Sequence, residues 1–568
     1  MNIKIRTPQA SCSPSRHRTF SALLGAALSS LTLSGLALGA GFAPVPGSAL
    51  PDAWARAGAS VTLNVPEVQG KVVTVGGVPA QTSRTQVTLR VPASTAPGRV
   101  QVRFVGGSDQ LITTRDIEVL GAVPGAATPV EPATPEDRHL QLLLNPRLNA
   151  AQVQALLTRL LPGIGTVSSL EQLPPSRSGA APTAAGTSPC GGMLADVQLQ
   201  SGVLLEEALN ALLQGGNGDI WYPDPISVYR APALGQSAQA GPPSVVQTSF
   251  GYVRWPVLPT VALGHPATRG LTGAGVTIAV LDTGFTAALD TGHELTDAAG
   301  TRLNRVKPPI NALVPYPTAQ SLIGAGDFWE GHGTQVAILA AGNVSGVASG
   351  AEVLPIKVCS EGSGRASCNT RDVLRGLCVA LNRAAANRLV INLSLGGHAP
   401  TGAIHAVLNW ASSQGAVVVA AGGNGHGRGA LGSPDPEEYP AAFARSHAPS
   451  QVALPLLAVA STTPGSGGRT LSSSTVWKLS PFSTLGSYLN ISAPGEALDL
   501  GHDQVYSGTS FAAPLVAGAA ALLRQASLAA STPTLQTFMT TGSRVAFYGL
   551  NTGGSTPVGL PMLRLGGY

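Results

Sequence analysis

Four stretches in the second half of the chain are apolar without alternation: "GVTIAVLD" (275–282), "EVLPIKV" (352–358), "LVINLSL" (389–395) and "AVVVAAG" (416–422). A strand with one wet face alternates polar and apolar residues. A continuous run of this length must be covered on both faces, as in a parallel sheet flanked by helices. Helical segments do separate several of the runs. The expected fold from residue 265 to 568 is therefore an α/β domain with a mostly parallel sheet. In such sheets chemistry gathers in the loops at the carboxyl ends of the strands, and that is where the polar residues stand.

Asp282 closes the first run in "AVLDTG". His332 stands in "EGHGTQVAILAAG", a Gly-flanked loop that leads into a helix of small residues. Asn424 follows the last run in "VVVAAGGNGHG", and Ser510 opens an apolar helix in "SGTSFAAPLVAGAAALL" (507–523). Pro514 is read as giving up one N–H in the first turn of that helix. Singly, these residues have ordinary structural roles as turn formers, loop histidine and helix cap. Together they supply a nucleophile, a base, a carboxylate to orient the base and a donor for an oxyanion.

Their order and motifs resemble the subtilisin-like serine proteases: Asp282 in "DTG", His332 in "HGTQVA", Asn424 in "AAGGN" and Ser510 in "GTSFAAP". "GVASGAEVLPIKV" (346–358) and "FSTLGSYLNISAPG" (482–495) look like connecting segments of that family, and the resemblance covers about 300 residues. It implies an Asp282–His332–Ser510 triad, with the Asn424 amide and the Ser510 N–H holding the oxyanion. It also implies that Ser394, Leu395, Gly396 and Gly397 form an edge for extended protein or peptide substrates, which would bind by strand addition. Gln335 and Ile338 depart from the family pattern beside His332. Structural calcium is common in the family, but no ligand loop is legible; no cofactor is expected to be required and no metal residues are assigned.

The first half is organised differently. Residues 1–43 have a basic start, an apolar stretch and small residues around Ala40 to Ala43, the pattern of a cleaved signal peptide. An uncleaved anchor is the competing reading, disfavoured by the many Gly, Ala and Ser residues. The expected location is secreted, extracellular or at the cell envelope. Residues 57–120 read as short alternating strands, a small β-sandwich resembling immunoglobulin-like modules, and 121–137 as a Pro-rich linker. Residues 138–231 follow a βαβ–βαβ order, expected to be a ferredoxin-like α+β domain. The family resemblance implies that this domain is a propeptide, an intramolecular inhibitor removed by cleavage within 231–249. Residues 232–264 would be linker and the start of the mature enzyme.

Charge and cysteines narrow the function further. Lys4, Arg6, Arg16 and Arg18 belong to the leader, so the net charge of +5 falls to +1 without those four. Nucleic acid is excluded as a partner on that ground, and no membrane association is expected after the leader is removed; the mature protein is read as a monomer. Of five cysteines, Cys12 leaves with the leader, and the remaining four allow three pairings. Cys359 and Cys368 flank "SEGSGRAS" and are the best candidates for one bridge. Cys378 shares a helix face with Leu374, Leu377 and Leu381 and reads as a buried, inert thiol. Asp435, Glu437 and Glu438 follow Asn424 and could favour basic side chains in a substrate; the leading reading is a solvated loop. The leading function is a self-processing serine endopeptidase; the alternative is a catalytically inactive subtilisin-like fold used for extracellular binding or adhesion.

Overall fold

In the computed structural model each continuous apolar run becomes a central strand of one sheet. The structure describes residues 51–541, Leu560 and Leu563, apart from 69–73, 76–77, 80, 84, 93–94, 96–97, 107–109, 121–137, 178–187, 231–245, 249–250, 254–269, 328–330, 363–364, 427–434, 446–452, 465–476, 501–504 and 528–529. The leader, the Pro-rich linker and most of 232–264 lie outside the described residues.

Two small sheets come first. One joins Ala53–Arg56, Leu111–Leu120, Gly98–Val105, Thr74–Val75 and Val78–Pro79; the other joins Ser60–Asn64, Gln86–Arg90 and Gln81–Ser83. Burial alternates along Ser60–Asn64, as expected of strands with one wet face. Val61, Leu63, Val87, Phe104, Ile117 and Val119 meet in a common core.

A second module follows: β1 (His139–Leu144), α1 (Ala150–Leu160), β2 (Gly165–Gln172), β3 (Met193–Leu199), α2 (Leu205–Gly215) and β4 (Ile220–Pro225). Its sheet order is β2-β3-β1-β4 with every neighbouring pair antiparallel. This is the arrangement of a ferredoxin-like βαββαβ unit. Asn149 and Gln152 begin α1 with a reciprocal capping box. The two faces of the sheet have different partners. Leu140, Leu142 and Leu144 pack with α1, α2 and Trp54, whereas Leu143, Leu194 and Tyr222 join the core of the α/β domain. The short strand β5 (Val228–Arg230) leads away from β4.

The α/β domain contains β6 (Thr277–Asp282), β7 (Ile310–Asn311), α3 (His332–Ala341), β8 (Glu352–Lys357), β9 (Arg365–Asn369), α4 (Thr370–Arg383), β10 (Leu389–Leu393), α5 (Gly402–Ser413), β11 (Val417–Ala421), β12 (Leu457–Pro464), β13 (Trp477–Leu479), β14 (Ile491–Pro494), α6 (Thr509–Ala526) and α7 (Thr532–Thr541). The sheet runs β7-β8-β6-β10-β11-β12-β13, with β14 also on β12; only the β12–β13 pair is antiparallel. Every residue of β6, β10 and β11 is buried, which accounts for their unbroken apolar sequence. Helices α3 and α6 pack on each other. Gly518 makes that approach feasible, since a Cβ there would stand 2.6 Å from the Ala340 carbonyl oxygen and from Val347. Among the described residues, no helix is long and apolar enough to cross a membrane.

The structure pairs Cys359 with Cys368. It also pairs Cys190 with Cys378, which overturns the reading of Cys378 as a free thiol. Cys378 does face the core, but its partner precedes β3, 188 residues away in sequence. Helix periodicity reports burial and says nothing about what another domain brings against that face.

Candidate active site

Asp282 ends β6 with its carboxylate fully buried. Its Oδ1 accepts the Thr283 N–H at 2.7 Å and lies 2.7 Å from His332 Nδ1. His332 is the first residue of α3. The preceding Gly331 has φ 66°, a left-handed turn that a side chain would strain, and it swings the helix start toward β6. His332 Nε2 lies 3.0 Å from Ser510 Oγ. A carboxylate only accepts, so Nδ1 carries the proton and Nε2 is left to accept from the serine hydroxyl. All three side chains are at most 1% exposed, so water screens the relay little.

A second carboxylate fixes the start of α3, and it went unnoticed in the sequence. Asp327 Oδ2 accepts both the N–H and the hydroxyl of Thr334 at 2.8 Å. The Thr283 hydroxyl sits between Asp327 Oδ1 (2.9 Å) and Asp282 Oδ1 (3.2 Å), and accepts the Gly333 N–H at 2.9 Å. Buried Lys357 donates to the carbonyls of Thr283 and Gly326. Asp327 precedes His332 in a loop with no periodic signal, so only proximity reveals its part. Phe511 lies 5.0 Å from the His332 ring, and Tyr506 lies 5.3 Å from Phe511. Burial pushes the Tyr506 phenol up to about 12, so it stays neutral here.

Ser510 stands in the first turn of α6, where N–H groups have no carbonyl four residues back within the helix. Asn424 Oδ1 accepts the N–H and the hydroxyl of Thr509 at 2.9 and 3.0 Å. That pairing makes Oδ1 the acceptor and Nδ2 the donor end of the amide. Pro514 lies deeper in α6 than the first turn expected for it. The carbonyl that its missing N–H would have met is that of Ser510, and the Ser394 hydroxyl donates to it instead at 2.7 Å. Asn392 in turn donates to the Ser394 oxygen. The proline thus opens the helix at the point where strand β10 grips it.

The expected edge of Ser394 to Gly397 divides into different tasks. Gly396 exchanges both backbone hydrogen bonds with Arg230, at 2.7 and 2.9 Å, and β5 pairs antiparallel with β9 on its other side. A segment of this chain therefore lies as an added strand between them. Tyr229 is fully buried there and donates to the Ala399 carbonyl. Gly397 instead exchanges its backbone bonds with Tyr439, Leu395 is a core residue, and the Ser394 hydroxyl serves Ser510. Glu438 is not solvated as expected: it is 8% exposed, and a Cβ on Gly396 or Gly423 would meet it. Asp435 Oδ2 lies 2.8 Å from His426 Nδ1 and accepts the Leu485 N–H. Glu437 pairs with Arg445. Ile338 is wholly buried in α3 and Gln335 nearly so, without touching the Asp282–His332–Ser510 chain of bonds.

A parallel-sheet α/β fold with Asp, His and Ser converging at strand and helix ends defines a protein built like the subtilisins. Residues 273–554 match the Peptidase_S8 family, described as the subtilase family. Subtilisin Savinase of Lederbergia lenta is 35% identical over 268 residues, which is 45% of this chain and 79% of that protein. Subtilisin NAT of Bacillus subtilis subsp. natto is 34% identical over 265 residues, and the match spans only 57% of that relative's length. Fervidolysin from Fervidobacterium pennivorans, described as a keratinolytic enzyme related to subtilisin, shares the fold at 18% identity, with TM-score 0.50 over 75% of this chain and 60% of that one. The chain belongs to the subtilase family.

Proposed function

We propose that the protein is a serine endopeptidase, secreted as a precursor that cleaves itself. The observation that carries this reading is the continuous bond chain from Asp282 through His332 to Ser510, near an edge at Gly396 along which an extended strand of this chain already lies. Ser510 Oγ would attack the scissile carbonyl as His332 Nε2 takes its proton, with Asp282 stabilising the imidazolium. The oxyanion would be held by the Ser510 N–H and Asn424 Nδ2. His332 would then protonate the leaving amine, and water would release the acyl group by the reverse proton path. Every catalytic group in this scheme belongs to the chain, and we propose no cofactor for it.

Residues 138–231 would be the inhibitory propeptide and 1–43 the export signal. The run of β5 along Gly396 and β9 supports the first assignment, because it occupies the path an extended substrate would take. A serine-directed fluorophosphonate probe tests the proposal: it should label Ser510 in wild type that has been processed and freed of the module, and nothing in Ser510→Ala. The same variant should accumulate as an uncut chain. Normal processing and proteolysis by Ser510→Ala would refute the mechanism.

A further inference from the structure

The Cys190–Cys378 disulfide crosses the boundary that self-cleavage would cut. Cys190 precedes β3 in the second module, Cys378 lies in α4 of the α/β domain, and the 231–249 window falls between them in sequence. Breaking a peptide bond in that window therefore leaves one covalent connection between the two pieces. Cys359–Cys368 cannot serve this purpose, because both its ends lie in the α/β domain. We propose that processing yields a two-chain protein, in which the module stays bonded to the protease through Cys190–Cys378 and is the permanent partner of the surface formed by α4, α5 and β9. The proposal rests on the self-processing reading for when the cut occurs, but the bond itself does not.

The surroundings suit a retained partner. Both cysteines are at most 4% exposed and belong to one continuous core with Leu143, Leu173, Leu194 and Trp221 of the module. Arg375 of α4 makes a bidentate bond to Glu171, and Arg371 pairs with Asp196 at 2.9 Å. The retained chain also carries the N-terminal sheets. The Trp54 N–H donates to Asn210 of α2, the Asn210 amide returns a bond to the Trp54 carbonyl, and Arg56 pairs with Glu206.

A tether changes how the cleft is vacated. A linked partner rebinds at an effective concentration on the order of 1 mM, so a contact with a free-state Kd of about 10 nM would be open only ~10⁻⁵ of the time at any dilution. Release then requires digestion of the module or reduction of the bridge. In reduction, one thiolate of a small dithiol attacks a bridge sulfur and its second thiol closes on the mixed disulfide. Two electrons pass from the dithiol, which ends as a cyclic disulfide, and Cys190 and Cys378 end as thiols. Because the bridge is buried, the dithiol reaches it only when the interface opens, so docking and bridge protect each other.

Two arms test this. In the first, a recognition sequence for a site-specific endopeptidase is placed within 234–243 of full-length Ser510→Ala, so that no self-cleavage is needed. After cutting, a denaturing gel without reductant should show one species of undiminished mass, resolving into two fragments with reductant. Two fragments without reductant overturn the proposal. In the second, processed wild type and a Cys190→Ser, Cys378→Ser double variant are diluted from 1 µM to 1 nM and assayed on a small chromogenic peptide, as orders of magnitude spanning the assumed affinity. Specific activity should stay flat for wild type and rise about tenfold for the variant; an equal rise in both overturns the tether. If the double variant does not accumulate, a dithiol added to dilute Cys359→Ser, Cys368→Ser protein should raise activity by well over tenfold, and a flat response counts against the proposal. A bridged Ser510→Ala chain in the first arm together with a wild type that never cuts itself refutes the processing reading instead.

Discussion

The surroundings of Ser510 and the surface under the second module are both dense in buried polar groups, but they are completed in opposite ways. Around Ser510 the partners identified among the described residues come from the α/β domain itself: Asp282 from β6, His332 from α3, Ser394 after β10 and Asn424 after β11. On the module surface the partners arrive from outside. Thr401 makes no side-chain cap for α5; Asp224 of β4 accepts the N–H groups of Gly402 and Ala403 instead, at 2.8 Å each. Burial works against the charge of Arg375, but the Glu171 and Asp372 carboxylates outweigh it and hold the guanidinium above its ordinary value. The first region draws on its own domain, whereas the second takes part of its hydrogen bonding from the module and the rest from Asp372 and Ala312 of the α/β domain. The module thus supplies helices α4 and α5 with hydrogen bonds that the α/β domain does not give them.

Substitutions should separate the regions cleanly, starting with the largest effect. Ser510→Ala or His332→Ala should lower kcat by about 10⁶, the scale set by subtilisin for loss of nucleophile or base, with the denaturation midpoint little changed; single-turnover assays and urea titrations read the two quantities. Asn424→Leu should cost about 10²–10³ in kcat and leave KM nearly unchanged, since an oxyanion donor acts in the transition state. An equal loss in KM would place Asn424 in ground-state binding.

On the other side, Glu171→Gln in the Ser510→Ala background should destabilise the uncut chain by about 1–3 kcal/mol, because buried Arg375 loses one of its two counter-charges and keeps only Asp372. Denaturant unfolding measures this, and processed protein carrying the same change should cleave small peptides faster, because the tethered module then docks less tightly. Ser394→Ala should cost about 1–3 kcal/mol by orphaning the Ser510 carbonyl. Adding Pro514→Ala should recover most of it, since the restored helical N–H reaches that carbonyl; no recovery would show that Ser394 acts elsewhere. Asp224→Ala should be the mildest, about 1 kcal/mol for a lost helix cap, and should appear only in chains that still carry the module.

Much of the α/β domain was legible before any coordinates. The runs at 275–282, 352–358, 389–395 and 416–422 could be stable only as strands covered on both faces, and they are the sheet's centre. Asp282, His332 and Ser510 could be singled out because strand ends and helix starts are marked by a switch from apolar runs to Gly-flanked polar residues. Asp327 and Lys357 carry no such mark. The division of labour within Ser394 to Gly397 was also invisible, because four consecutive residues read as one edge while their backbone and side chains face different neighbours. Pro514 was misplaced by one turn for the opposite reason: helix propensity shows that a helix exists far better than where it begins.

By itself, then, the sequence determined the parallel sheet, the order of the reactive residues along it and the small-residue helices that let them approach, since periodicity and motif are local properties of a chain. Only the tertiary structure decided that Cys378 is bonded rather than free, that Glu438 is buried, and that Arg230 lies against Gly396. Each of those depends on which distant segment fills a given face. Burial free energy is non-directional, so an apolar helix face can announce that it will be covered but not by what.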